Sequence, residues 1–145
     1  MELERIVVGV DGSDCAAVAA EWAAMLARLS GAEVVAVHAL GLLEQLPDGE
    51  RVAAEPRREE IQGELDTAWT APLADAGVSY RAELRDGDAV SVLLGAADDV
   101  DADLVVLGSR GMGGYPELLL GSTSTQVAQN GSRPVLIIPA ASIES

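Results

Sequence analysis

The stretch Leu104-Val105-Val106-Leu107-Gly108-Ser109-Arg110-Gly111-Met112-Gly113-Gly114-Tyr115-Pro116-Glu117-Leu118-Leu119-Leu120-Gly121-Ser122-Thr123-Ser124 reads as one strand, one glycine-rich loop and the start of one helix. Its opening apolar run lacks the alternation of a half-wet strand, as expected where both faces of a parallel sheet are covered. The helix that follows is stopped by Gly131, and a last apolar run, Val135-Leu136-Ile137-Ile138, closes the pattern.

Working outward, the same unit recurs. Ile6-Val7-Val8-Gly9-Val10 is a buried strand ended by Asp11-Gly12-Ser13. Residues 14–29 form an alanine-rich helix, with Val18, Trp22, Met25, Leu26 and Leu29 at helical spacing, Ser13 or Asp14 as cap and Gly31 as stop. Residues 33–40 are a second buried strand, and residues 41–56 a long loop. Ile61, Leu65, Ala68, Trp69, Leu73 and Ala76 give one helical stripe, which Pro72 should kink and Gly77 end. Both tryptophans, on apolar helical faces, are expected in the core. Val78, Tyr80, Ala82 and Leu84 alternate with polar residues, so this strand has one wet face and belongs at or near a sheet edge. Asp86-Gly87-Asp88 turns the chain into a helix carrying Val90, Leu93, Leu94 and Ala97, and the acidic run 98–103 reads as a solvated turn. Five strands alternating with helical segments require right-handed crossovers, hence a doubly wound α/β domain with helices on both faces of a parallel sheet, spanning residues 1–145.

Composition removes whole classes of function. The 145 residues carry 24 Asp+Glu against nine bases, all arginine, for a formal net charge of -15. Without lysine there is no Schiff-base or P-loop lysine, and an acidic field repels nucleic acid and anionic membranes. No apolar stretch approaches the ~20 residues that span a bilayer, and the start lacks the basic and apolar regions of a signal peptide, so a cytoplasmic protein is expected. One cysteine and one histidine exclude a disulfide framework and a Cys/His zinc cluster. Cys15 reads as a structural thiol, and His38 as a packed residue at the end of its strand.

The chemistry lies in the glycine-rich segment. Glycines bring loop amides close to a ligand, and the next helix start offers unpaired N–H groups at the positive end of its dipole. Ser122, Thr123 and Ser124 add hydroxyls there, and Arg110 is the one base in the loop that could face a phosphate. Neither the P-loop nor the dinucleotide Gly-x-Gly-x-x-Gly fingerprint is present.

The spacing Gly108-x2-Gly111-x9-Gly121-Ser122, with Asp11-Gly12-Ser13 after the first strand and Arg133-Pro134-Val135-Leu136-Ile137-Ile138 at the end, resembles the universal stress protein family over essentially the whole chain. The resemblance implies strand order 3-2-1-4-5 and ATP binding, with Mg2+. It implies that Gly9 and Asp11 sit beside the adenosine, that the backbone at Ala39 meets the adenine edge, and that Gly108 lies by the ribose. Gly111, Gly113, Gly114, Gly121, Ser122 and Thr123 would surround the phosphates, with Ser109, Arg110 and Met112 completing the loop. Asp11 has two open roles, toward the nucleoside or toward Mg2+, besides fixing its own turn. The resemblance also implies a homodimer through the last strand, whose apolar edge would otherwise be an aggregation hazard. The expected function is an ATP-binding stress or signalling protein that reports its occupied state to a protein partner. The alternatives are a slow ATPase or self-phosphorylating enzyme, and a partner-binding dimer that ignores nucleotide or takes cyclic AMP.

Overall fold

The computed structural model describes residues 2–40, 43–45, 51–53, 55–109 and 122–139, with only the main chain of 43–45, 51–53, 55–57 and 122. In chain order the elements are β1 (Arg5–Gly9), α1 (Asp14–Ser30), β2 (Glu33–Leu40), β3 (Leu43–Gln45), β4 (Arg51–Ala53), α2 (Glu55–Asp66), α3 (Ala71–Ala76), β5 (Tyr80–Asp86), α4 (Ala89–Val100), β6 (Leu104–Gly108), α5 (Ser122–Asn130) and β7 (Val135–Ile138). The main sheet runs β5-β2-β1-β6-β7 with every neighbouring pair parallel. Numbered by the five strands expected from sequence, this is 3-2-1-4-5.

The uninterrupted apolar strands pack on both faces. Ile6, Val8, Val34, Ala36 and Val106 turn toward α1, Leu65 of α2 and Leu73 of α3. Val7, Val35, Val37, Val105 and Leu107 turn toward Leu93 and Ala96 of α4 and Val127 of α5. Each buried valine contributes on the order of 1.5–3 kcal/mol through the water it excludes.

Four readings of the sequence are corrected. First, α1 buries its large apolar stripe only in part, with Val18 and Leu26 packing against the core. Its core face is Ala16, Ala19, Ala20, Ala23, Ala24 and Ala27, while Trp22, Met25 and Leu29 are 43%, 42% and 79% exposed. Small side chains let the helix axis lie close over the sheet, leaving no depth there for a tryptophan. Second, the stripe of residues 61–76 is two helices rather than one kinked helix. The chain leaves α2 at Asp66, buried Thr70 donates its hydroxyl to Leu65 O at 2.9 Å, and Pro72 sits in the first turn of α3, where a missing N–H costs nothing. Third, the expected loop 41–56 contains the antiparallel pair β3–β4 and the start of α2.

Fourth, the acidic run is solvated as expected at Asp98, Asp99 and Asp101, but it is only in part a turn, and its carboxylates are anchored. Asp98 and Asp99 belong to α4, and Asp101 caps it at φ 53°. Arg133 donates to Asp101 at 3.2 Å, to Asp98 and to Ala102 O, and Arg85 reaches Asp99 at 2.7 Å. The Asp103 carboxylate accepts the Glu4 and Arg5 amides at 2.8 and 3.0 Å, tying the entry of β1 to that of β6. Those two N–H groups hold its carboxyl below the usual aspartate range. The Ser91 amide does the same for Asp88, the cap of α4. Both groups bind a proton more weakly folded than unfolded, so their stabilisation is present above the ordinary carboxylate pKa and disappears as pH falls through the lowered one. Asp103→Asn is therefore expected to lower Tm at pH 7, and the gap from the unsubstituted chain should close below about pH 4. A gap constant from pH 7 to 3 would assign the effect to something other than the charge.

β5 and β7 are the outer strands. On β5, Tyr80, Ala82 and Leu84 pack inward, while Arg81, Glu83 and Arg85 form a ladder of ion pairs that includes Glu33. On β7, Pro134 O accepts from Val105 N–H at 3.0 Å and Ile138 O from Ser109 N–H at 2.8 Å. By strand alternation the main-chain groups of Val135 and Ile137 point away from β6. Among the described residues no helix is long and apolar enough to cross a membrane.

Candidate functional site

β1 and β6 are neighbours, yet the helices after them lie on opposite faces, α1 with one half of the core and α5 with the other. The winding thus reverses between these two strands, and a crevice opens beyond their carboxyl ends, where open α/β sheets bind ligands. A cleft of about 260 Å3 is found there. Gly9, Val10, Asp11, Ser13 and Ala16 line it from β1 and α1, Val37, His38 and Ala39 from β2, Ala89 and Leu93 from α4, Leu107 and Gly108 from β6, and Thr123 from α5.

Gly9, Asp11, Ala39, Gly108 and Thr123, five residues named from sequence, thus share one cleft wall. Asp11 holds its own turn, its Oδ1 accepting the Ser13 amide at 2.9 Å, and Ser13 Oγ caps α1 by accepting the Ala16 amide at 3.1 Å. Ser109 does not line the cleft. Only 1% exposed, it gives its N–H to Ile138 O and accepts Ser124 Oγ–H at its carbonyl, 3.2 Å away, so it fastens β6 to β7 and α5. Ser122 opens α5. Arg110, Gly111, Met112, Gly113, Gly114 and Gly121 lie outside the described residues.

The glycines here also answer to packing. A Cβ on Gly108 would come 2.8 Å from Cys15 Sγ, and one on Gly9 would press Leu93 at 3.2 Å. Gly12, at φ +83°, lies under Trp69, whose Nε1 would be 2.9 Å from a Cβ. Cys15 is buried, its thiol donating to Ile138 O at 3.2 Å, which agrees with a structural role.

His38 is among the lining residues that sequence reading did not place in the site. Its Nδ1 is 2.7 Å from Val10 O. A carbonyl only accepts, so Nδ1 carries the proton and a neutral ring keeps its lone pair on Nε2. The ring packs on Trp69, centroids 5.0 Å apart and planes tilted 59°. The available signal was its place at the carboxyl end of a strand beside the first one. Leu93 was legible only as helix core, and Ala89 carried no signal of its own.

Three helices begin at this end of the sheet, but they differ electrostatically. α1 carries Asp14 in its first turn and α4 is capped by Asp88, whereas α5 has no acidic residue in its first turn and brings Thr123 to the cleft. The positive dipole end is thus least neutralised at α5. Among the described residues no group of three His, Cys, Asp or Glu is arranged to hold a metal ion.

The family model described as the universal stress protein family matches residues 2–139. This chain belongs to the universal stress protein family. A universal stress protein of Thermus aquaticus is 35% identical over 143 residues, covering 93% of this chain and 98% of the relative. Universal stress protein YxiE of Bacillus subtilis is 31% identical, covering 92% and 97%. A universal stress protein of Mycolicibacterium smegmatis is 32% identical across 92% of this chain but only 47% of its own, so the chain spans about half the length of that relative. Among solved structures, a universal stress protein in complex with cAMP superposes with TM-score 0.75 at 28% identity, covering 95% of this chain and 98% of that one. The universal stress protein of Archaeoglobus fulgidus in complex with dAMP gives TM-score 0.72 at 26% identity, covering 95% and 99%.

Proposed function

We propose that this universal stress protein is a cytoplasmic adenine-nucleotide sensor, a single domain over residues 1–145 that binds ATP with Mg2+ and reports occupancy through a homodimer to a protein partner. The observation that carries the reading is the meeting of Gly9, Asp11, Ala39, Gly108 and Thr123 in one cleft at the point where the winding reverses. The cAMP and dAMP complexes of the two structural neighbours support an adenine nucleotide as the ligand class. The donor set fits: the apolar wall of Val37, Ala39, Leu93 and Leu107 suits a nucleobase, and the acid-free start of α5 with Thr123 suits phosphate.

In this reading the Ala39 main chain faces the base, Asp11 offers a carboxylate oxygen to a ribose hydroxyl or to Mg2+, and the loop from Gly108 to Gly121 wraps the phosphates. Mg2+ holds most of its ligands as water and phosphate and asks for at most one or two carboxylates, which Asp11 supplies. For the dimer, the support is the outward row of main-chain groups at Val135 and Ile137 on an apolar outer strand.

The test is mass spectrometry of the small molecules released when freshly purified protein is denatured, followed by titration with ATP, ADP and cyclic AMP with and without Mg2+. ATP is expected to bind more tightly than cyclic AMP, because only its longer phosphate chain reaches the full set of loop amides. The double variant Gly111→Val, Gly121→Val should lose at least about 100-fold in affinity for ATP, the effect of several charge-assisted hydrogen bonds. Absence of binding by all three nucleotides would overturn the proposal.

A further inference from the structure

Among the described residues, the large apolar side chains most exposed to water are Trp22, Met25 and Leu29, all on α1. The orientation of the helix tells where they face. Cys15 turns toward the outer strand, its thiol bonding Ile138 O of β7, whereas Ala17 lies on the opposite flank, in a pocket with Trp69 and Pro72. Seven residues make almost two full turns, so Trp22 lies within about 20° of the direction of Cys15, and Leu26, four residues on, shares that flank. Height follows from the same arithmetic. α1 descends about 10 Å from Cys15 to Trp22, and β7 covers about 10 Å from Ile138 back to Val135. Trp22 therefore overhangs the free edge of β7, level with its first residue.

We infer that Trp22, with Leu26 beside it, is a second contact of the homodimer, packing across the two-fold axis against α1 of a second copy. This rests on the dimer reading above. Two β7 strands paired antiparallel keep α1 of both copies on the same face of the joined sheet. α1 lies over β1 and β6, so three to four strand spacings, about 14–19 Å, separate the two helix axes. Direct helix packing needs 8–10 Å, so alanines would leave the two helices apart, whereas large side chains reaching from each close the gap. The area argument agrees. A pair of four-residue strands buries far less than the roughly 1,200–2,000 Å2 of a stable interface, and an apolar contact beside the strands supplies the remainder.

Sedimentation velocity over a concentration series of the full chain tests this, with Trp22→Glu, Trp22→Gln and Ile137→Pro compared to the unsubstituted protein. Ile137→Pro removes an outward N–H without touching the bonds to β6 and should give monomer. Both Trp22 variants should keep the Tm of the unsubstituted chain, since the residue is 43% exposed, yet weaken the dimer about tenfold or more. Trp22 variants that dimerise as tightly as the unsubstituted chain, with Ile137→Pro monomeric, would overturn the α1 contact and leave the edge reading standing. An undiminished dimer in Ile137→Pro, or an unsubstituted chain monomeric at its highest soluble concentration, would remove the edge reading and the α1 contact with it.

Discussion

Gly108→Ala is expected to destabilise the protein by roughly 3 kcal/mol, the upper part of the usual overpacking range. For a chain of this size that corresponds to about 6–12 °C in Tm. The backbone of Gly108 is ordinary strand, so the cost is one of space. A Cβ there would lie 2.8 Å from Cys15 Sγ, 2.9 Å from Cys15 Cβ and 3.0 Å from the Cys15 main-chain carbon. A thiol could turn aside, but the first turn of α1 cannot move without moving the turn of Asp11 and Ser13 that lines the cleft. Adding Cys15→Ala removes only the sulfur and leaves both carbon contacts, so it should recover a minor part of the loss. Thermal unfolding of the two variants decides the matter. An unchanged Tm for Gly108→Ala would mean that α1 slides outward freely, and that glycine at this strand end answers to a ligand alone.

That double demand explains how much of the site was legible. Glycine spacing along residues 108–121 and the Asp-Gly-Ser turn announce close approach, and they do so whether the approaching group is a helix or a nucleotide. The structure shows the helix at Gly108 and the tryptophan at Gly12. The sheet order came from the family resemblance, whereas the inner strands were readable because Ile6–Val10, Val34–Val37 and Leu104–Leu107 are apolar without interruption, which only strands covered on both faces tolerate. The face of α1 was not. Periodicity pointed to the stripe of large residues, and the depth between helix and sheet, a tertiary quantity, selected the alanines instead. The same limit hid the partners of residues 98–103. Arg133 stands 32 residues from Asp101, and no local spacing announces that pair. Ser109 shows the same limit: its sequence neighbours belong to the loop, but its own amide and carbonyl are taken by β7 and α5.

Gly12→Ala should act on both stability and the cleft. At φ +83° a Cβ strains the backbone by about 1–2 kcal/mol. It also falls 2.9 Å from Trp69 Nε1 and 3.0 Å from two ring carbons. Together the two effects amount to roughly 2–5 kcal/mol, a large part of the 5–15 kcal/mol that holds a typical domain folded. Relief of the clash requires Trp69 to leave its place against His38, which lines the cleft, so nucleotide affinity should fall along with stability. Trp69→Leu separates the contributions, because a smaller side chain relieves the contact and leaves the dihedral strain untouched. Urea unfolding of the unsubstituted chain, the two single variants and the double variant gives the coupling directly. A coupling of about 1 kcal/mol or more, with the double variant better than the sum of the singles, is the expected outcome. Strict additivity would show that the ring yields without cost. Gly12 would then be required by its backbone angle alone, and the packing of Trp69 on His38 would have no part in shaping the cleft.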